Sequence, residues 1–153
     1  MSRGQGLSDL RPLARVPTER DESVTHVCGQ AVERLAVQLP RAHIYCHLRV
    51  ANALRVIASK AGSRVIYEVS RDQGGICWRA AETQEPQLVE DVRRDPDYMT
   101  TDERVRSEVA VPILGGHDTL LVLDVEFPDR PFTAEEADLV LAAAARIEAD
   151  LPG

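Results

Sequence analysis

The chain has 153 residues, a hydrophobic fraction of 44% and a formal net charge of −7. That length suits one domain, which buries about two-thirds of its unfolded surface and needs no disulfide or metal staple. The negative charge repels nucleic-acid phosphates and anionic lipid, which excludes a generic role in binding either. Aromatic residues make up only 4%, so an aliphatic core is expected. The three cysteines, Cys28, Cys46 and Cys77, are irregularly spaced and form no CxxC pair, so neither a zinc ribbon nor a dithiol motif is written here. Met1-Ser2-Arg3-Gly4 is not followed by an apolar stretch, and the longest apolar run, Leu139–Ala145, is too short to span a bilayer. A cytoplasmic location with free thiols is expected, with neither a membrane nor a nucleic acid as partner.

Residues 1–20 mix Gly, Pro, Arg and Ser without periodicity and read as a flexible leader; 21–153 read as the domain. A helix is predicted from Asp21–Ser23 to Pro40, with Val24, Val27, Cys28, Ala31, Leu35 and Leu39 as its apolar stripe. From Ala42 to Val50 the period changes to two. Ile44, Cys46, Leu48 and Val50 take one face; His43, Tyr45, His47 and Arg49 take the other, expected to be solvated or hydrogen-bonded. Strands are expected at Ala53–Ser59 and Arg64–Val69. Gly74-Gly75 then opens a short helix through Thr83.

Pro86–Arg106 reads as loop, with an extended piece at Leu88-Val89, a turn at Asp95-Pro96-Asp97 and a turn of helix at Asp102–Val105. Strands at Ser107–Leu114 and Thr119–Phe127 flank the hairpin loop Gly115-Gly116-His117-Asp118. Leu120–Leu123 is apolar on both faces and predicts a central strand, while Pro112 predicts a bulge or an edge. A one-residue ambiguity in the hairpin register leaves open whether Glu108 and Asp124 share a face. Thr133 and Glu136 write a capping box for the final helix, whose stripe is Ala137, Val140, Leu141, Ala144 and Ile147. An antiparallel sheet meets this order with both terminal helices on one face and the excursion at 74–106 over the other, enclosing a ligand pocket.

The stretch Gly75-Ile76-Cys77-Trp78-Arg79-Ala80-Ala81-Glu82-Thr83 resembles the glycine-led helix of GAF domains. Leu88–Val92, Asp95–Tyr98, Ser107–Pro112, Leu123–Glu126 and Phe132–Glu136 follow in the family's order, so the resemblance covers residues 22–150. It implies an α+β fold: a central antiparallel sheet of about six strands flanked by helices, dimerising through the terminal helices. It also implies a small-molecule-binding sensory module with a signalling protein as partner, its ligand and cofactor left unspecified. Trp78 departs from the glycine common in the family and is expected to fill or wall the pocket. The ligand-binding candidates are Tyr67, Cys77, Trp78, Arg79, Asp91, Tyr98, Thr101, Glu108, Asp124 and Glu126, with no catalytic residue and no metal ligand assigned.

Two alternatives stand beside this reading. One is a ligand-free dimerisation module. The other is a thiol redox protein similar to the free methionine-(R)-sulfoxide reductases, a GAF branch in which Cys77 matches one cysteine and Glu108, Asp124 and Glu126 resemble the substrate-holding carboxylates. That branch's nucleophilic cysteine falls at Thr101 here, and threonine cannot exchange disulfides. The N-K-F-D-E signature of cyclic-nucleotide binders is absent, and Cys46-His47 lies in the wrong element for bilin attachment. Asp95 and Asp97 are expected to cap turns around Pro96. Arg79 has two readings, an anion contact or an ion pair with Glu82.

Overall fold

Acidic residues Glu19, Asp21 and Glu22 open helix α1 (Glu19–Gln38), where they complement the positive end of the helix dipole. The computed structural model describes residues 19–60, 68–99 and 102–152. Val24, Cys28, Ala31, Val32 and Leu35 are the buried stripe of α1. Strands β1 (His43–Val50), β2 (Ala53–Lys60) and β3 (Glu68–Ser70) follow, then helix α2 (Ile76–Thr83), strand β4 (Gln87–Val89), the long hairpin β5 (Val105–Gly115) and β6 (Asp118–Pro128), and helix α3 (Ala134–Asp150). The six strands form one antiparallel sheet in the order β3-β2-β1-β6-β5-β4. The expected strand at 64–69 is described only from Glu68, so most of it, Tyr67 included, lies outside the described residues, as does Thr101. Short 3-10 turns appear at Arg71–Gln73 and Val92–Arg94, and Asp102–Val105 is a hydrogen-bonded turn rather than a turn of helix.

Alternation along the central strands divides the interior into two cores. On one face Ile44, Cys46, Val109, Val111, Leu121, Leu123 and Val125 pack under α1 and α3. On the other, Leu54, Val69, Ala110 and Val122 pack against Ile76, Trp78, Ala80 and Ala81 of α2. The strand with two apolar faces, β6, lies at the centre between β1 and β5, as its sequence requires. The two histidines on the second face of β1 are covered: His43 and His47 are 6% and 5% exposed, His47 beside Cys77 of α2 and His43 beside Glu126.

The β5–β6 hairpin closes in a two-residue turn, with Gly115 opposite Asp118 and Gly116 at φ 80°, a conformation that strains other side chains. Two positions into β6 the ladder slips. Leu114 faces Thr119 but Ile113 faces Leu121, so Leu120 forms a β-bulge. A Cβ on Gly115 would lie 2.9 Å from Leu120 Cβ, so glycine is what allows the bulge to form beside the turn. Pro112 lies in the regular ladder, beyond the end of β4 opposite Ala110, where its outer side has no neighbouring strand.

Helix α3 starts as the sequence predicts. Thr133 Oγ1 accepts from Glu136 N–H at 3.1 Å, and Thr133 N–H donates to Glu136 Oε1 at 2.9 Å. Arg130 adds a two-pronged pair to the Glu136 carboxylate at 2.7 and 2.8 Å, and its guanidinium holds the Glu136 pKa down at about 2. Among the described residues no helix is long and apolar enough to cross a membrane.

Two predictions follow from this packing. Gly115→Ala should destabilise the domain by roughly 1–3 kcal/mol, the range for overpacking, because Leu120 must move; an unchanged denaturant midpoint would refute the bulge. Glu136→Gln keeps the cap but loses the charged pair, which should lower stability by up to about 1 kcal/mol at pH 7. The native pKa is depressed, so this stability is present above pH 4.5 and drains away as pH falls towards 2. The gap between the two proteins should therefore narrow between pH 7 and pH 3, and a constant gap would contradict the pairing.

Candidate functional site

Slipping the ladder at Leu120 pairs Glu108 with Glu126 and Ala110 with Asp124. Across the other edge of β6, Tyr45 faces Asp124 and His47 faces Val122. Paired residues of antiparallel strands point to the same side. Tyr45, His47, Glu108, Asp124 and Glu126 therefore share the face opposite the terminal helices. They floor a cleft of about 540 Å³, counting its mouth, whose walls are Val69, Gly74, Gly75, Ile76, Cys77, Tyr98 and Met99.

Two devices hold the walls. Gly75, at φ 105°, caps the start of α2, and a Cβ there would press on Met99 Sδ at 3.1 Å, so glycine lets the loop close on the helix. Arg79 reaches from α2 to the same loop. It donates to both Asp95 carboxylate oxygens at 2.9 and 2.7 Å, to Asp97 at 2.9 Å and to Gln87 at 2.8 Å. This brace positions Tyr98 and Met99 over the cleft. Arg79 does not pair with Glu82, whose partner is Arg71. Asp95 also accepts from Asp97 N–H at 2.9 Å, the expected turn cap, so it serves both the turn and the brace.

The electrostatics of the floor are unusual. The carboxylates of Glu108, Asp124 and Glu126 each place an oxygen within 4.8 Å of the others. All three residues are about 5% exposed or less. Burial, and then the Asp124 and Glu126 charges, push the Glu108 pKa well above the ordinary carboxylate range. The Cys77 thiol is pushed well up by burial and by Asp124 and Glu108. Burial lowers the His47 pKa, against the opposing pull of Asp124. Burial and the carboxylates also raise Tyr45. Burial therefore favours the thiol form of Cys77 and the neutral form of the His47 imidazole, beside three clustered carboxyl groups. The cleft favours cations and disfavours a thiolate nucleophile.

Of the residues expected to bind ligand, Cys77, Tyr98, Glu108, Asp124 and Glu126 come together here. Trp78 neither fills nor walls the cleft. It is 2% exposed in the second core, its Nε1 donates to Val69 O at 3.0 Å, and the Arg49 and Arg71 guanidiniums lie 5.6 and 5.7 Å from its ring centroid. Asp91 caps the 3-10 turn Val92–Arg94, accepting from Arg93 N–H at 3.1 Å, away from the cleft lining. Tyr45, His47 and Met99 were not expected in the site. The alternation of β1 had already put Tyr45 and His47 on one face, and the missing information was that this face is covered.

Residues 18–149 match the GAF domain family. Over 56 residues the chain is 39% identical to the free methionine-R-sulfoxide reductase of Saccharomyces cerevisiae, a match covering 36% of this chain and 31% of that protein, so the matched stretch spans under a third of the relative. The fold is similar to the free methionine-R-sulfoxide reductase of Neisseria meningitidis solved with its substrate: TM-score 0.74, 18% identity, 84% of this chain and 77% of that one. It is similar also to the GAF domain of a phosphoenolpyruvate-protein phosphotransferase from Coxiella burnetii: TM-score 0.68, 18% identity, 84% and 82% covered. With the family match spanning almost all of the described sheet and both terminal helices, the chain belongs to the GAF domain family.

Proposed function

We propose that the chain is a sensory GAF domain that binds a small molecule bearing an ammonium group. The observation that carries this reading is the floor of three buried carboxylates beneath walls of Val69, Ile76, Tyr98 and Met99. An ammonium group donates three hydrogen bonds and relieves the repulsion among the acids, while its apolar remainder meets the walls. Several relatives carry sensory or signalling names, and others are free methionine-R-sulfoxide reductases. The reductase reading needs a second thiol to resolve the oxidised intermediate. Cys28 and Cys46 lie in the core on the opposite face of the sheet, and burial with the Asp124 and Glu108 charges pushes the Cys77 thiol pKa up. This arrangement favours binding over turnover.

The first probes are free L-methionine sulfoxide and a panel of L-amino acids and primary amines. At a hundredfold excess over its Kd, a true ligand contributes about 2.7 kcal/mol, or a rise of about 5–10 °C in Tm for a domain of this size. The rise should vanish in Asp124→Asn and with the N-acetylated form of the same compound. No rise with any amine, or an equal rise after acetylation, would overturn the reading.

We further propose that the domain dimerises through α1 and α3. Val37 is 82% exposed beside a groove between these helices lined by Ala31, Leu35, Leu139, Ala142 and Ala143. Sedimentation should show a dimer for the wild type and a monomer for Val37→Glu; a wild-type monomer at micromolar concentration would refute this interface.

A further inference from the structure

His43 and His47 cannot share an ion: four residues apart on one strand they are separated by about 13 Å. His47 instead meets donors from other elements. Its Nε2 lies 3.9 Å from Cys77 Sγ at the start of α2. A carboxylate oxygen of Asp124, on β6, completes a trio whose ligand atoms all lie within 4.8 Å of one another. In a tetrahedral zinc site, Zn–S and Zn–N bonds of about 2.3 and 2.05 Å set sulfur and nitrogen about 3.6 Å apart. The observed separation is within a few tenths of an ångström of that.

A second observation points the same way. Asp124 Oδ1 is buried with no hydrogen-bond partner among the described residues, and Asp124 is 5% exposed. Orphaned polar atoms at such depth are costly, and a cation in the cleft would satisfy the carboxylate oxygen.

We propose that His47, Cys77 and Asp124 bind one divalent transition-metal ion of the zinc class. The donor set selects this class: a sulfur and an imidazole favour zinc over magnesium or calcium, which take oxygen ligands. Two negative ligands offset the ion's charge once Cys77 binds as thiolate. Its thiol proton leaves to solvent, its sulfur donates a lone pair to the ion, and no electron is transferred. Three protein ligands would leave a fourth position open, and Glu108, with Oε2 4.0 Å from Cys77 Sγ, lines the same cleft. This assignment goes beyond the ammonium-ligand reading while sharing its cleft.

The test uses the metal alone, on full-length protein stripped with a chelator. Cobalt(II) replaces zinc and reports its ligands by colour. The expected result is one cobalt per chain, with visible bands of a tetrahedral site and a thiolate-to-cobalt charge-transfer band, all displaced by one equivalent of zinc. Cys77→Ser should abolish the charge-transfer band, and Cys77→Ala serves where the serine variant fails to fold. Asp124→Asn should weaken zinc at least ~10–100-fold, the cost of losing even an outer partner of a ligand. A folded wild type without the charge-transfer band overturns the proposal, as does a band that survives loss of Cys77. Because no organic ligand is present, failure here leaves the amine reading standing, and a failed amine screen leaves this site standing.

Discussion

The bulge at Leu120 decides which side of the sheet is chemical. The tight turn alone would carry the pairing of Gly115 with Asp118 unbroken into the sheet, setting Glu108 opposite Val125. Glu108 would then lie on the face away from Asp124 and Glu126, in the apolar core under the terminal helices. One extra residue in β6 reverses this parity, because side chains alternate with a period of two. The bulge in turn depends on Gly115, whose missing side chain leaves room for Leu120. A single glycine at the end of β5 therefore sorts three acids onto one face and keeps the helical core apolar.

That sorting has an electrostatic cost, and the cost shapes the chemistry. Two like charges about 5 Å apart repel by about 3 kcal/mol at an effective dielectric of 20. Burial and the neighbouring carboxylates shift Glu108 towards its neutral form and Cys77 towards the thiol, which lessens this repulsion. The domain tolerates the strain because the rest of the fold is over-determined. The three central strands are laddered along most of their length, and the Arg79 brace ties the covering loop to α2. An ammonium group and a metal ion answer the same imbalance, each supplying the positive charge that the described side chains around the cleft do not.

Much of the fold was legible in the sequence. Helical spacing marked α1 and α3, the Thr133–Glu136 box marked where α3 begins, and the doubly apolar run Leu120–Leu123 marked the central strand. The site was legible only in part. Glu108, Asp124 and Glu126 stood out as acids among apolar neighbours, yet no local signal marks a bulge at a leucine. His47 was visible as a residue on the second face of β1, but burial of that face is produced by α2, some thirty residues away. Arg79 had two local readings; the pair with Glu82 does not form, and its guanidinium meets the Asp95 and Asp97 carboxylates instead. Its partners come from a loop whose path over the cleft is set by tertiary contacts, Gly75 against Met99 among them.

Because successive residues of a strand point to opposite sides, β1 and β6 connect the cleft directly to the helices. Tyr45 lies between Ile44 and Cys46, and Asp124 between Leu123 and Val125; the flanking residues are fully buried beneath α1 and α3. On the proposed reading, a backbone shift that brings Asp124 onto a cation would move Leu123 and Val125 against the helices. Close-packed interiors transmit such shifts because they have little free volume to absorb them. Val140 and Ile147, themselves fully buried, anchor α3 in that core, while Leu139 and Ala143 lie along its groove with α1. On that reading, occupancy of the cleft would reach the helical face through the alternation of β1, β5 and β6, since Val109, next to Glu108, is likewise fully buried in the helical core.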